Sequence, residues 1–328
     1  MSLEVKEIFK KYGEKTVVDH ISFTMEKPGV YALLGTNGAG KTTSIRMILG
    51  MLEKTGGEVL FDNKPFDTKE INVGYLAEER GLYPKVSLMD QMIYFANLKG
   101  MSKKDAEKRI KYWSERLELD DYFYPKPAPG SKKKVKPYRA DQLSKGNQQK
   151  VQLMAALIAD PQVIILDEPL SGLDPVNADL FKNVIREVAS GDKYIIMSSH
   201  QMGTIEEFCS DLTILNHGKA VLQGNLKEIK KSYGRVNLVI KADADVTDIV
   251  KAEGLEIKEQ TAEEIYIKLT DESQAGSLLA KLVEAKIPLV RYELTEPSLH
   301  EIFVEKIEQS NAENGVTENK TEEGSVNE

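Results

Sequence analysis

Gly35-Thr36-Asn37-Gly38-Ala39-Gly40-Lys41-Thr42 matches the pattern G-x-x-x-x-G-K-[ST], and its reading decides the fold. The apolar run Gly29 to Leu34 before it reads as a short buried strand, and Thr43 to Leu49 after it as the first turns of a helix. Glycines at 35, 38 and 40 let the backbone wrap closely around an anion, so that successive amide N–H groups and the helix N-terminus point at it. Lys41 would reach the β- and γ-phosphates of a nucleotide and the Thr42 hydroxyl would ligate Mg²⁺. Thr36, Asn37, Ala39 and Thr43 complete the predicted cradle.

Length and composition describe an ordinary soluble globular protein. With 328 residues the chain can hold two cores, and 41% apolar with 29% charged residues is ordinary for a globular protein. A formal net charge of −8 argues against nucleic acid as a partner, because backbone phosphates need a basic face. The single cysteine, Cys209, excludes an internal disulfide and a multi-cysteine metal site, and fits a reducing compartment. No run nears the roughly 18 apolar residues that cross a bilayer, and the first residues lack an apolar signal region. A cytoplasmic protein is expected, with any membrane role borrowed from a partner chain.

Along the chain, residues 3 to 25 alternate in period two and predict an antiparallel pair of strands leading into the nucleotide site. Tyr12, in this segment, offers a ring that could stack on an adenine face. Residues 87 to 119 carry helical spacing at Leu88, Met92, Phe95 and Leu98 and again at Ile110, Trp113 and Leu117. They predict a mostly helical subdomain, spanning about 87–160, inserted in the α/β body. Four prolines and a lysine cluster between 124 and 137 predict an extended surface loop. Helices at 148–159, 176–189 and 205–209 then alternate with strands at 163–167, 194–198, 212–216 and 219–223, which implies a parallel sheet covered on both faces. A linker at 230–235 closes this first domain, 1–230. Residues 236–296 read strand, helix, strand, strand, helix, strand, a ferredoxin-like split βαβ module. A helix at 298–308 completes a small α+β domain over 236–308, and the polar stretch 309–328 reads as a disordered tail.

Leu166-Asp167-Glu168-Pro169 ends the apolar strand at 163–167. Ligands bind at the carboxyl ends of parallel strands, which sets this pair beside the phosphate loop. Asp167 would hold Mg²⁺ directly or through water, and Glu168 would orient and deprotonate the attacking water.

Further segments complete a pattern. Leu143-Ser144-Lys145-Gly146-Asn147-Gln148-Gln149 resembles the signature segment of ATP-binding cassette (ABC) ATPases, Ser171-Gly172-Leu173-Asp174 resembles that family's D-loop, and His200 its switch histidine. The resemblance covers residues 1 to about 230. It implies a P-loop NTPase of the ABC ATPase fold, with ATP and Mg²⁺ as cofactors, working in head-to-tail pairs as a homodimer or beside a second ATPase subunit. In such a pair Ser144 and Gly146 would touch the γ-phosphate held by Lys41 of the partner subunit. His200 would bond the same phosphate, and Asp174 would organise the dimer contact. Lys145 and Asn147 depart from the family's Gly and Gln. Glu78 stands where the family has a glutamine that links Mg²⁺ to the membrane partner; a carboxylate can still ligate the metal, and it adds a charge.

The loop Glu78-Glu79-Arg80-Gly81-Leu82-Tyr83 and the segment Glu296-Pro297-Ser298-Leu299-His300-Glu301-Ile302-Phe303 are similar to a bacterial subgroup of sodium- and drug-export ATPases, whose membrane permeases are separate polypeptides. The resemblance implies an ATP-hydrolysing export subunit, peripheral to the cytoplasmic face of the cell membrane. The alternative is a soluble, non-transport ABC ATPase with a regulatory role.

Overall fold

The computed structural model describes residues 1–79, 81–127 and 135–313; the readings placed on Arg80, on lysines 132–134 and on 314–328 lie outside the described residues. The chain forms two compact units, Met1–Gln223 and Gly224–Glu328.

The first unit opens with β1 (Leu3–Tyr12) and β2 (Lys15–Met25), an antiparallel hairpin whose register runs from Leu3 opposite Met25 to Tyr12 opposite Lys15. β3 (Gly29–Gly35) leads through the phosphate-type loop into α1 (Lys41–Ile48). β4 (Gly56–Phe61) and β5 (Lys64–Pro65) follow, joined through Asp62 and Asn63 at φ 52° and 60°, the left-handed pair that a tight hairpin requires. These strands make a four-stranded sheet in the order β2-β1-β4-β5.

After β6 (Val73–Leu76) the chain leaves the sheet for α2 (Leu88–Leu98), α3 (Lys103–Arg116), α4 (Asp120–Phe123) and α5 (Lys145–Leu157). Ser87 and Ser102 cap α2 and α3 by accepting the Asp90 and Asp105 N–H groups, and the Asp side chains accept from the same hydroxyls. The chain then returns as β7 (Val163–Asp167), α6 (Pro175–Ala189), β8 (Tyr194–Ser199), α7 (Met202–Glu206), β9 (Asp211–Asn216) and β10 (Lys219–Asn225). The main sheet has the order β10-β9-β3-β8-β7-β6, and β3 pairs in parallel with both β8 and β9. Every residue of β7 and β8 is buried, which is why their sequences run apolar without alternation. Between the two sheets lies a core that includes Leu3, Ile21, Leu33, Ile45, Ile165 and Ile196.

The second unit begins with α8 (Leu226–Tyr233), where the sequence reading placed a linker at 230–235. Asn225 caps it through Oδ1, and Gly234 at φ 71° ends it; the lysines that looked like linker form its solvated face. β11 (Asn237–Ala242), α9 (Thr247–Ala252), β12 (Glu256–Gln260), β13 (Ile265–Lys268), α10 (Ser273–Glu284) and β14 (Leu289–Thr295) build an antiparallel sheet in the order β12-β13-β11-β14. That is the ferredoxin-like order, with Leu238, Ile240, Ile267, Leu278 and Leu282 in its core. α11 (Leu299–Glu313) runs past the predicted end at 308, so residues 309–313 of the supposed tail are helical; Ser310 and Asn311 are buried there, a packing their polarity concealed. Two other helices also shift. α7 begins three residues before the predicted 205, and α5 starts at Lys145 because Ser144 is its cap.

Candidate functional site

The loop between β3 and α1 is held from behind. Gly40, at φ 104°, caps α1 without a side-chain hydrogen bond, which leaves the first amide groups of the helix for a ligand. A Cβ on Gly40 would meet the Val17 carbonyl at 3.3 Å and Gly218 Cα at 3.5 Å. Gly218, in the tight turn between β9 and β10, donates its N–H to the Ala39 carbonyl at 3.0 Å and accepts from the Asp19 N–H at 2.8 Å. It sits at φ 81°, and a Cβ there would lie 2.3 Å from the Val17 carbonyl oxygen. Gly218 thus joins β2 to the loop, a role the sequence reading missed. The available signal was a glycine between two predicted strands, which marks a turn but not what the turn touches.

A cavity of about 330 Å³ opens in front of the loop, lined by Asn37, Gly38, Gly40, Lys41, Thr42 and Thr43 together with Val17, Glu78 and Glu168. Gly35, Thr36 and Ala39 shape the backbone behind it. Lys41 is 6% exposed and donates to the carbonyls of Gly35 at 2.8 Å and Thr36 at 3.2 Å. Its Nζ also lies 3.3 Å from Glu168 Oε1, an ion-pair distance. The alignment is outside hydrogen-bond geometry, so this buried oxygen has charge contact but no directed donor.

Asp167 and Glu168 lie at the end of β7, both buried. One hydroxyl serves both: Ser198 on β8 donates to Asp167 Oδ1, and its oxygen accepts the Glu168 N–H at 3.0 Å. Ser198 was not singled out from sequence, because its side chain meets the acidic pair only through the pairing of β7 with β8. Burial raises the Asp167 carboxyl above the ordinary range, and the Ser198 hydrogen bond together with the nearby Thr42 hydroxyl offsets part of this. Asp167 Oδ2 is buried and has no protein partner. An orphaned carboxylate oxygen next to a threonine hydroxyl is a donor set for a hard cation. His200 Nδ1 lies 2.9 Å from Glu168 Oε2, with the ring 44% exposed. Glu168 itself adopts φ 49°, a left-handed conformation that non-glycine residues rarely take.

Tyr12 is exposed at the end of β1, with Lys10 Nζ 4.9 Å over its ring, and it is not part of the cavity lining. Ser144 and Gly146 are not part of that lining either. Ser144 accepts the Asn147 N–H at 3.3 Å, and a Cβ on Gly146 would come 3.1 Å from Asn177 Nδ2. Asn177 in turn donates its N–H to Asp174, the cap of α6, at 3.0 Å. The N-termini of α5 and α6 are therefore neighbours. Asn147 reaches back to the Tyr122 hydroxyl at 2.9 Å.

Two amides of α5 tie the site to its surroundings. Gln149 donates to the Pro169 carbonyl at 2.7 Å, just past the acidic pair, and Gln152 donates to the Glu79 carbonyl at 3.3 Å. A second, mainly apolar cavity of about 330 Å³ lies between β6, α2 and α5, with Tyr75, Leu82, Phe95, Leu98 and Ala155 in its wall. Ala77, Gly81 and Leu82, from the same loop that carries Glu78 to the first cavity, line this one.

Residues 18–171 match the family described as ABC transporter, and residues 224–307 match the C-terminal domain of DrrA1-3-like ATP-binding proteins. The ABC transporter ATP-binding protein YhaQ of Bacillus subtilis is 41% identical over 306 residues, 93% of this chain and 98% of its own length. NatA, an ABC transporter ATP-binding protein of the same bacterium, is 33% identical over 229 residues, 68% of this chain and 87% of its own. Among solved structures, an ATP-binding subunit of an ABC transporter superposes with a TM-score of 0.61 at 26% identity, covering 71% of this chain and 94% of that one.

Proposed function

Since this chain belongs to the ATP-binding proteins of ABC transporters and is an ATPase of that family, we propose that it powers export through a separate membrane-spanning permease, as one of two paired cassettes at the cytoplasmic face of the membrane. The observation that carries the proposal is the loop after β6, which lines the phosphate cavity through Glu78 and the apolar groove through Ala77, Gly81 and Leu82. Events at the nucleotide displace one wall of a groove of the size and polarity that receives an amphipathic segment. Among the described residues no helix is long and apolar enough to cross a membrane. The solute reading, a sodium ion or a drug-like molecule, rests on the resemblance of the 78–83 loop and the 296–303 segment to sodium- and drug-export ATPases.

The chemistry follows from the side chains. Phosphates entering the cavity offer Lys41 a stronger anion than the Glu168 carboxylate, so the lysine turns from Glu168 to the nucleotide. Glu168, released from that contact and oriented by His200 and by its N–H bond to Ser198, then takes a proton from the attacking water. Tyr12, exposed at the end of β1, stacks on the adenine. Thr42, Asp167 and Glu78 would hold Mg²⁺, which supplies neutralisation of the phosphate charge when bound. Ser144 and Gly146, absent from the lining of their own phosphate cavity, serve the nucleotide of a second cassette, a homodimer partner or a paired ATPase subunit.

ATP hydrolysis by membranes containing the native complex tests this. Glu168→Gln is expected to retain ATP binding and lose turnover by roughly 10²-fold or more, the usual worth of a general base. Unchanged turnover would overturn the assignment. Failure to co-purify with a multi-spanning protein would favour a cassette that acts without a permease.

A further inference from the structure

We infer that Glu78 makes nucleotide binding conditional on a divalent cation, so that the site accepts the metal-bound triphosphate and turns the bare one away. The inference rests on the reading of the Gly35–Thr42 loop as the ATP site.

Two carboxylates share the cavity lining with one lysine, and a third lies within electrostatic reach of that lysine. Glu78 and Glu168 line the cavity beside Lys41, and Asp167 stands at the end of β7 with Oδ2 buried and unpartnered. Asp167 is 0% and Glu168 5% exposed, so neither is well screened by water. Lys41, the lysine of the lining, already has Glu168 at 3.3 Å. The cavity is therefore net acidic before any phosphate enters.

A bare triphosphate adds several more negative charges, and repulsion in a partly buried cavity is stronger than in bulk water. A divalent cation between carboxylates and phosphates reverses the sign of each of these contacts. A glutamine at position 78 would offer a carbonyl oxygen to the cation while repelling nothing. Glu78 differs from it in one respect, a unit charge that penalises the metal-free nucleotide and attracts the cation. Asp167 and Glu168 are fixed by β7 and Ser198, whereas Glu78 stands exposed at the cavity edge on a loop, so an exchange there alters charge with little effect on folding.

The test is a binding titration of the full-length chain with a non-hydrolysable ATP analogue, in excess Mg²⁺ and in chelator at the same ionic strength. The wild type is expected to lose affinity on chelation about tenfold more than Glu78→Gln does, the worth of one unit charge on the cavity lining under water-like screening. The difference should arise in the chelator arm, where Glu78→Gln binds better, and Glu78→Asp should keep the wild-type pattern. Equal Mg²⁺ dependence in wild type and Glu78→Gln, or a wild type indifferent to chelation, would overturn the inference while leaving the ATP site in place. Absence of binding in both arms, with Lys41→Ala indistinguishable from wild type, would overturn the ATP site as well.

Discussion

Replacing Ser198 by alanine tests how much of the acidic pair is held by a single buried hydroxyl. Ser198 is 0% exposed, donates to Asp167 Oδ1 and accepts the Glu168 N–H at 3.0 Å. The substitution removes both bonds and leaves two polar groups unpaired in the interior, each costing about 1–3 kcal/mol. Because Asp167 Oδ2 already has no protein partner, its carboxylate would be left without the Ser198 bond that offsets its burial. A total on the order of 3 kcal/mol corresponds to a fall in Tm of roughly 6–12 °C for a unit of this size. Glu168, whose φ of 49° persists only while its surroundings enforce it, should also drift, and a displacement near 1 Å costs roughly 10²-fold in kcat. The KM for ATP should change little, since the contacts of Lys41 with the loop are untouched. Scanning calorimetry gives the first quantity and steady-state ATPase kinetics the second. A double-mutant cycle with Asp167→Asn should give a coupling of about 1 kcal/mol, as expected for side chains in direct contact. A Tm within about 1 °C of wild type together with unchanged kcat would refute the reasoning, because the penalty for burying unpaired groups would then be absent where the geometry demands it.

Asp167→Asn alone should stabilise the chain by about 0.5–2 kcal/mol while abolishing Mg²⁺-dependent turnover, because it removes a buried, incompletely paired charge. The sign with pH is fixed by the upward shift of this carboxyl: the penalty exists where Asp167 is ionised, so the Tm gap between variant and wild type should be widest near neutrality and close as pH falls through the folded-state pKa. Gly218→Ala places a methyl 2.3 Å from the Val17 carbonyl at φ 81° and should cost more than about 2 kcal/mol and weaken nucleotide binding, read by thermal shift with and without ATP. Tyr12→Ala should lower nucleotide affinity about 5- to 10-fold with Tm unchanged, the worth of one exposed stacking contact, checked by titration with a fluorescent adenine nucleotide.

Residues adjacent in sequence were legible because their chemistry is local. The run from Gly35 to Thr42 carries its own backbone requirement, and Leu166-Asp167-Glu168 announces an acidic strand end wherever the strand lies. Alternation from Val163 to Asn216 sufficed for the parallel strands, and the order of elements from 236 to 296 for the second unit; the strand at 219–223, read with the parallel set, follows β9 through the two-residue turn His217-Gly218 and so runs antiparallel. What was misread has equally local causes. Asn225 and Gly234 are cap and stop signals that bracket α8, but the lysines between them resemble solvated linker. The polar end of α11 buries Ser310 and Asn311, which composition alone assigns to a tail.

The sequence by itself determined the inventory: a phosphate loop, an acidic strand end, a Ser-x-Gly helix start, a histidine after a strand, and an acid at position 78. Only the tertiary structure decided which of these meet. The parallel pairing of β7 with β8 brings Ser198 under both acids, and the turn after β9 brings Gly218 behind the loop. The packing of α5 leaves Ser144 and Gly146 outside the cavity that Lys41 lines. Local pattern follows from the backbone's short-range sterics and hydrogen bonding, whereas these contacts depend on strand order and helix packing between segments far apart in the chain, which no short window of residues encodes.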